Sequence, residues 1–387
     1  MKRVLFTPGP TEVPSEVLQA MGKPLIHHRT DEYRQYFLET TRLMQEHLGT
    51  LQPALTLSCS GSGAMEAAVV NLLSAGDEAI VVEGGKFGDR WRAICQAYGV
   101  TAHTVSVEWG RVATVEEVES ALAAHPKAKV IFLTHSETST GALFPVHDMA
   151  RAAKARGVAA VVDAITSYGV YDLCFDRSDI DGVVWGSQKG MMIPPGLGFV
   201  CLSPHAWDLV KNSRLPKFYW NLAKAKTVLE AGDTPFTPAI SLVLAARAAM
   251  LLLQKEGRDQ VFARHQRNAG ATRQAVRALG LSLFAEVPSN TLTAVHVPQG
   301  VDSGAVLKTM ELRYGVKIAG GQDRLKGKIF RLGHIGYYDE GDILRLVGAF
   351  ESALIEHGAK IEAGAGVRAA QQSFRTPQAS TTAARVG

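Results

Sequence analysis

The sequence predicts an α/β protein: a large domain on a mainly parallel seven-stranded sheet, then a smaller α+β domain. Three observations predict it. Short apolar runs alternate with helical segments between residues 54 and 163, the pattern of strands joined by right-handed crossovers. The chain has 387 residues, 46% of them hydrophobic and 20% charged, enough for one large core and a second, smaller one. Beyond about residue 260 the order of strands and helices changes and the strict alternation stops.

Residues 1–20 read as an extended arm, because Pro8, Gly9, Pro10 and Pro14 oppose regular helix. The large domain is expected over 21–259. A helix covers 32–48, and strand–helix pairs follow at 54–58 with 63–73, 78–83 with 90–98, 101–107 with 115–124, and 130–134 with 145–156. Strands 159–163, 183–186 and 198–202 complete the sheet, the last two as a plausible antiparallel pair. A long apolar helix, 239–253, leads toward the amphipathic segment 260–279. The small domain, 260–362, holds strands at 292–297 and 328–332 and helices near 303–314 and 340–357. The tail 363–387 is rich in Ala, Gly, Ser, Thr and Gln, lacks a periodic apolar face, and is expected to be disordered.

Composition excludes several functions. A net charge of +4 is small, and the basic residues are scattered, which gives no support for nucleic-acid binding. The cysteines at 59, 95, 174 and 201 lack metal-ligand or CxxC spacing, so free thiols in a reducing cytoplasm are expected, with no metal. The opening MKRVLFTPGPTEVP has no apolar core of the kind a signal peptide carries. No apolar run approaches the roughly 20 residues of a membrane span.

The chemistry begins with Lys189 in Trp185-Gly186-Ser187-Gln188-Lys189-Gly190, just after an apolar strand, and Asp163, which ends a neighbouring one. A lysine amine to form a Schiff base and an acid to hold a pyridine nitrogen protonated are what pyridoxal 5'-phosphate (PLP) requires. An ordinary surface lysine and a strand-end aspartate fit the same two residues. Three further loops weigh toward PLP. Ser58-Cys59-Ser60-Gly61-Ser62-Gly63 lies between strand and helix, where backbone amides and hydroxyls bind anions, although short Ser/Gly loops are common. Phe87 ends the next strand, where it either stacks on a ring or is simply core. Thr138, in His135-Ser136-Glu137-Thr138-Ser139-Thr140-Gly141, follows a strand and is either a phenolate partner or part of a capped turn. All these sites fall at the carboxyl edge of one sheet, where such folds bind ligands.

Arg331, in Phe330-Arg331-Leu332-Gly333-His334, is flanked by apolar residues and needs a carboxylate from the protein or from a substrate. His27-His28-Arg29-Thr30 is a second cationic cluster, either at the mouth of the site or a solvated, capped turn.

With these motifs in order, the chain resembles the class V (fold type I) PLP-dependent aminotransferases, in particular the alanine–glyoxylate and serine–glyoxylate group. The likeness runs from Thr7-Pro8-Gly9-Pro10-Thr11 to about residue 360. It implies that Lys189 carries the cofactor and Asp163 faces the pyridine nitrogen. Phe87 would stack on the ring and Thr138 contact the phenolate oxygen. Ser60, Gly61, Ser62 and Gln188 would bind the phosphate. The family's homodimer implies that a segment like Asp233-Thr234-Pro235-Phe236-Thr237-Pro238 completes the partner's phosphate site through Thr234 or Thr237. The tyrosine that relatives place a few residues earlier has no clear match here.

The expected activity is ping-pong transfer of an amino group from alanine or serine to glyoxylate or another small 2-oxo acid, with Arg331 on the α-carboxylate. If His28 and Arg29 grip a second carboxylate, aspartate becomes a competent donor. A desulfurase would need a cysteine within 318–328, and none is there. A non-catalytic subunit with a retained pocket is the rival from another class.

Overall fold

The computed structural model describes residues 3–376. A short strand β1 (Val4–Leu5) opens the chain, and α1 (Ser15–Met21) starts directly after Pro14. The sequence predicts an extended arm through residue 20. Pro14 sits instead at the N-cap, where a missing amide costs nothing. Helix α2 (Asp31–Leu48) is capped by the Thr30 side chain, which accepts from the Tyr33 amide, and stops at Gly49 in the left-handed region.

The large sheet then builds up with helices between its strands. In chain order these are β2 (Ala54–Leu57), α3 (Gly61–Leu72), β3 (Glu78–Glu83), α4 (Lys86–Ala97), β4 (Thr101–Ser106), α5 (Val115–Ala124) and β5 (Ala128–Thr134). A small hairpin, β6 (Ser136–Glu137) with β7 (Ala142–Leu143), precedes α6 (Val146–Lys154), β8 (Ala159–Asp163), β9 (Gly182–Gly186) and β10 (Gly198–Leu202). The seven-stranded order is β2-β10-β9-β8-β5-β3-β4. Only β10 opposes the rest, pairing antiparallel with β2 and β9. Strands β8 and β9 are buried at every position, as expected when helices cover both faces. Trp185 on β9 stacks between Tyr168 and Phe199, with centroids 4.7 and 5.2 Å away.

Helices α7 (Pro204–Asn212), α8 (Leu222–Leu229) and α9 (Ile240–Glu256) follow. Gly257, at φ +91°, separates α9 from α10 (Arg258–Ala278). Helix α10 joins the two cores: Val261 lies in the large one, while Ala271, Ala275 and Val276 lie in the second. That second core holds β11 (Leu292–His296), α11 (Ser303–Arg313), β12 (Val316–Lys317), β13 (Ala319–Gly320), β14 (Ile329–Gly333) and α12 (Glu340–Glu356). β14 is the centre of a sheet ordered β11-β14-β13.

Val4 and Phe6, near the start of the chain, belong to this second core. Val4 pairs with Val316, and Phe6 stacks on Tyr338 at 4.8 Å. Val4 and Phe6 are thereby buried within their own chain. The tail also departs from expectation, because α13 (Ala365–Arg375) is helical. Val367, Ala370 and Phe374 form a narrow apolar stripe against the second core. The buried Glu351 carboxylate accepts from the Gly364 and Gly366 amides at the start of the helix. The three residues recur at i, i+3 and i+7, a helical period that the Ala- and Gln-rich composition of the segment masks. The rest of the expected tail, 377–387, lies outside the described residues.

Candidate active site

One cavity collects side chains from the carboxyl ends of five parallel strands. Ser60, Gly61 and Ser62 come from the β2–α3 turn, Phe87 from the start of α4 after β3, and Thr138 from the hairpin after β5. Asp163 ends β8, and Gln188 and Lys189 follow β9. Arg90, Ser136, Ile165 and Thr166 complete the lining. Parallel pairing makes this convergence possible, since each strand returns to the sheet pointing the same way.

Lys189 is half-buried, and its enclosed Nζ donates to the Pro8 carbonyl at 2.8 Å. Burial pulls the amine down to about 8, helped by the charges of Arg331 and Arg90 and opposed by Asp163. Asp163 is buried, and burial raises its carboxyl to about 7. One hydrogen bond works the other way, as its Oδ1 accepts from the Ile165 amide at 2.8 Å. A cation placed against Asp163 would draw it back toward the ionised form. Gly61 packs against Ile165, whose Cδ1 a Cβ at this position would approach to 2.6 Å.

The Thr138 hydroxyl meets that of Thr166 at 2.6 Å. Beside it, Glu137 is buried with its carboxylate accepting from the Phe87 and Gly88 amides, both at 3.0 Å, and from the Ser139 amide and hydroxyl. The first turn of α4 is thereby tied to the Thr138 loop. Burial raises the Glu137 carboxyl, and these hydrogen bonds oppose it.

Arg331 reaches this edge from β14. Its Nε donates to the Gly320 carbonyl at 2.8 Å, and Nη1 donates to the Thr138 carbonyl at 3.0 Å and to Gln322 Oε1 at 3.3 Å. These hydrogen-bond partners are all neutral; burial lowers the guanidinium to about 10, opposed by the negative charge of the nearby Glu137.

Other sequence candidates lie elsewhere. Thr234 and Thr237 line a separate surface groove with Tyr219 and Phe236. Arg29 pairs with Asp233 at 2.7 Å, its side chain 58% exposed, and so anchors the turn before α2 to that groove's loop. The His28 ring stacks on His27, with centroids 4.6 Å apart. Neither His28 nor Arg29 lines the cavity.

The structure also adds residues. Arg90 lies one helical turn after Phe87, a spacing visible in sequence once α4 is known to begin at Lys86. Pro8 and Gly9 contact Lys189, a closeness across the whole fold that no local pattern reveals.

The residues present fit PLP. The buried amine and acid flank one cavity, Ser60 caps α3 without using its side chain, and the buried Gln188 Oε1 has no partner within the chain. A helix N-terminus with an unpartnered Ser60 hydroxyl suits a phosphate.

The Aminotransferase class-V pattern matches residues 3–332. A protein from Synechococcus sp. (strain PCC 6716), named as the small subunit of a soluble hydrogenase, is 43% identical over 97% of this chain and 99% of its own length. A serine–glyoxylate aminotransferase from Hyphomicrobium methylovorum is 35% identical, over 96% of this chain and 94% of its own. An L-aspartate–glyoxylate aminotransferase from Paracoccus denitrificans (strain Pd 1222) is 34% identical over 96% of both chains. Solved aminotransferase chains share the architecture over nearly the whole length. The chain belongs to the class V aminotransferase family, enzymes of PLP fold type I.

Proposed function

We propose that this aminotransferase moves the amino group of a small neutral amino acid, alanine or serine, to glyoxylate or another small 2-oxo acid in two half-reactions. The neutral side chain rests on Arg29 below, and the observation that carries an α-amino acid donor of any kind is Arg331. It is a buried guanidinium with only neutral hydrogen-bond partners, one of them the Thr138 loop of the cavity. Its planar fork suits an α-carboxylate, which would add a directly hydrogen-bonded negative charge to the more distant field of Glu137. Arg29, the candidate for a second carboxylate, is already neutralised by Asp233.

In this reading Lys189 holds the cofactor, and its freed amine takes the α-proton and returns it. Asp163 opposes the ring nitrogen and Phe87 covers a ring face. Thr138 meets the phenolate oxygen, and Ser60, Gly61, Ser62 and Gln188 hold the phosphate. The chemistry PLP supplies when bound is an aldehyde that accepts the amino group and a ring that draws electrons from the α-carbon. An amine lowered to about 8 is neutral often enough near neutral pH to act as a base.

The enzyme is further proposed to work as a homodimer in the cytoplasm. The groove carrying Thr234 and Thr237 is bordered by exposed aromatics, Phe218 at 81% and Tyr219 at 42% exposure, which favours burial against a second copy. The four cysteines are free, in keeping with a reducing compartment. Among the described residues no helix is long and apolar enough to cross a membrane.

Aspartate is the second reading, favoured by the name of the Paracoccus relative; the aspartate and serine relatives are 34% and 35% identical to this chain. Nothing among the described residues favours hydrogenase chemistry, since no cysteine joins a cluster of metal-ligating side chains. A desulfurase lacks its thiol: Cys59, the cysteine nearest the cavity in sequence, is pushed up to about 12 by burial. The test is a panel of alanine, serine, aspartate and glutamate against glyoxylate, pyruvate and 2-oxoglutarate. Highest kcat/KM for alanine or serine with glyoxylate supports the reading, and highest kcat/KM for aspartate replaces it.

A further inference from the structure

We infer that Arg90 is the cation that neutralises the cofactor's phosphate, a role that rests on this cavity being the PLP site. A phosphate monoester carries a charge of about −1.5 to −2 at neutral pH. The groups assigned to it so far, Ser60, Gly61, Ser62 and Gln188, are all neutral. Of the residues that line the cavity, only Lys189 and Arg90 are cationic. The Lys189 amine is committed to the aldehyde end of the cofactor, which leaves Arg90.

Its position agrees. Arg90 Nη1 donates to the Ser62 hydroxyl at 2.9 Å, so the guanidinium already sits on the anion-binding turn of α3. Its central carbon lies 4.8 Å from the Phe87 ring centroid, the two side chains projecting from one face of α4. Stacking on the ring restricts the long side chain and prepares it for an anion. Arg92, two residues further along, pairs with Glu83, whereas Arg90 makes no ion pair among the described residues. A partly buried cation without a carboxylate, held on the turn that carries Ser60 and Ser62, is matched to an incoming dianion.

The test separates phosphate binding from general damage. Apoprotein with the native sequence, Arg90→Met and Arg90→Lys are each titrated with PLP and with pyridoxal, which lacks the phosphate, and binding is followed by fluorescence quenching. The expected result is a roughly ten- to hundredfold weaker Kd of Arg90→Met for PLP, little change for pyridoxal, and an intermediate value for Arg90→Lys. Inorganic phosphate should also compete less well against PLP in Arg90→Met. Equal weakening for PLP and pyridoxal in both variants would make Arg90 merely structural and overturn the inference. Unchanged PLP affinity with a selective loss of turnover on aspartate would overturn it in favour of a substrate carboxylate. Failure of the native protein itself to bind PLP would instead refute the assignment of the cavity.

Discussion

Lys189 Nζ donates to the backbone carbonyl of Pro8 at 2.8 Å, so the N-terminal turn holds the reactive amine. That turn is in turn fastened to the second core by Phe6 on Tyr338 and by β1 on β12. The position of the amine thus depends on both cores, although the lysine belongs to the large sheet.

Gly9 is the tightest point of this arrangement. It has φ +143°, and a Cβ there would lie 2.3 Å from Lys189 Nζ. Gly9→Ala is expected to fold and to lower kcat at least roughly tenfold, because the amine must move or the turn must open. Thermal unfolding and turnover measured together check this. A variant with unchanged kcat would show that the turn does not position Lys189.

The lysine gives a pH signature. Burial lowers it from 10.5 to about 8, and the neutral amine is the form that attacks an aldehyde. Capture of PLP by apoprotein should accelerate with pH up to about 8 and level off above it. Stopped-flow absorbance would measure this. A rate still climbing roughly tenfold per unit beyond pH 9 would mean an unperturbed amine.

Asp163 gives the opposite linkage. Its folded-state value of about 7 lies above its ordinary 3.8, so between those values the native apoprotein binds more protons than the unfolded chain. Apoprotein stability therefore falls as pH rises through that window. Asp163→Asn should be more stable than the native apoprotein above pH 7, by on the order of a few kcal/mol, and no different below about pH 4. It should also lose most of its turnover, since a neutral amide no longer favours a charged ring nitrogen. Equal apoprotein stability at pH 8, or full activity, would contradict the assignment.

The two arginines separate by donor. Arg29→Ala breaks only an exposed pair with Asp233 and should leave the ranking of alanine, serine and aspartate unchanged. Arg331→Gln should raise KM for every α-amino acid by roughly tenfold or more. A selective loss of aspartate activity in Arg29→Ala would restore the acidic-donor reading.

Much of this was legible in the sequence. The strand–helix alternation marks the parallel sheet, and its turns place Ser60, Phe87, Thr138, Asp163 and Lys189 on one edge, where the structure joins them in one cavity. Local patterns do not carry what depends on distant packing. Pro8 meets Lys189 across 181 positions, and Arg331 meets the Thr138 loop across 193. Arg90 follows from Phe87 only once the start of α4 is fixed at Lys86, four residues before the sequence pattern suggests. Helix α13 carries a narrow apolar face at Val367, Ala370 and Phe374, but its docking also depends on the distant Glu351, which no local pattern shows.

The most direct test mixes purified PLP-loaded protein with alanine or serine and no 2-oxo acid, and measures both cofactor absorbance and released oxo acid. The predicted result is loss of the cofactor's visible absorbance and formation of oxo acid equal in amount to bound PLP, with neither change in Lys189→Ala. Adding glyoxylate afterwards should restore the absorbance. Unchanged absorbance with no oxo acid from any amino donor, or near-normal turnover in Lys189→Ala, would contradict a lysine-bound PLP transaminase.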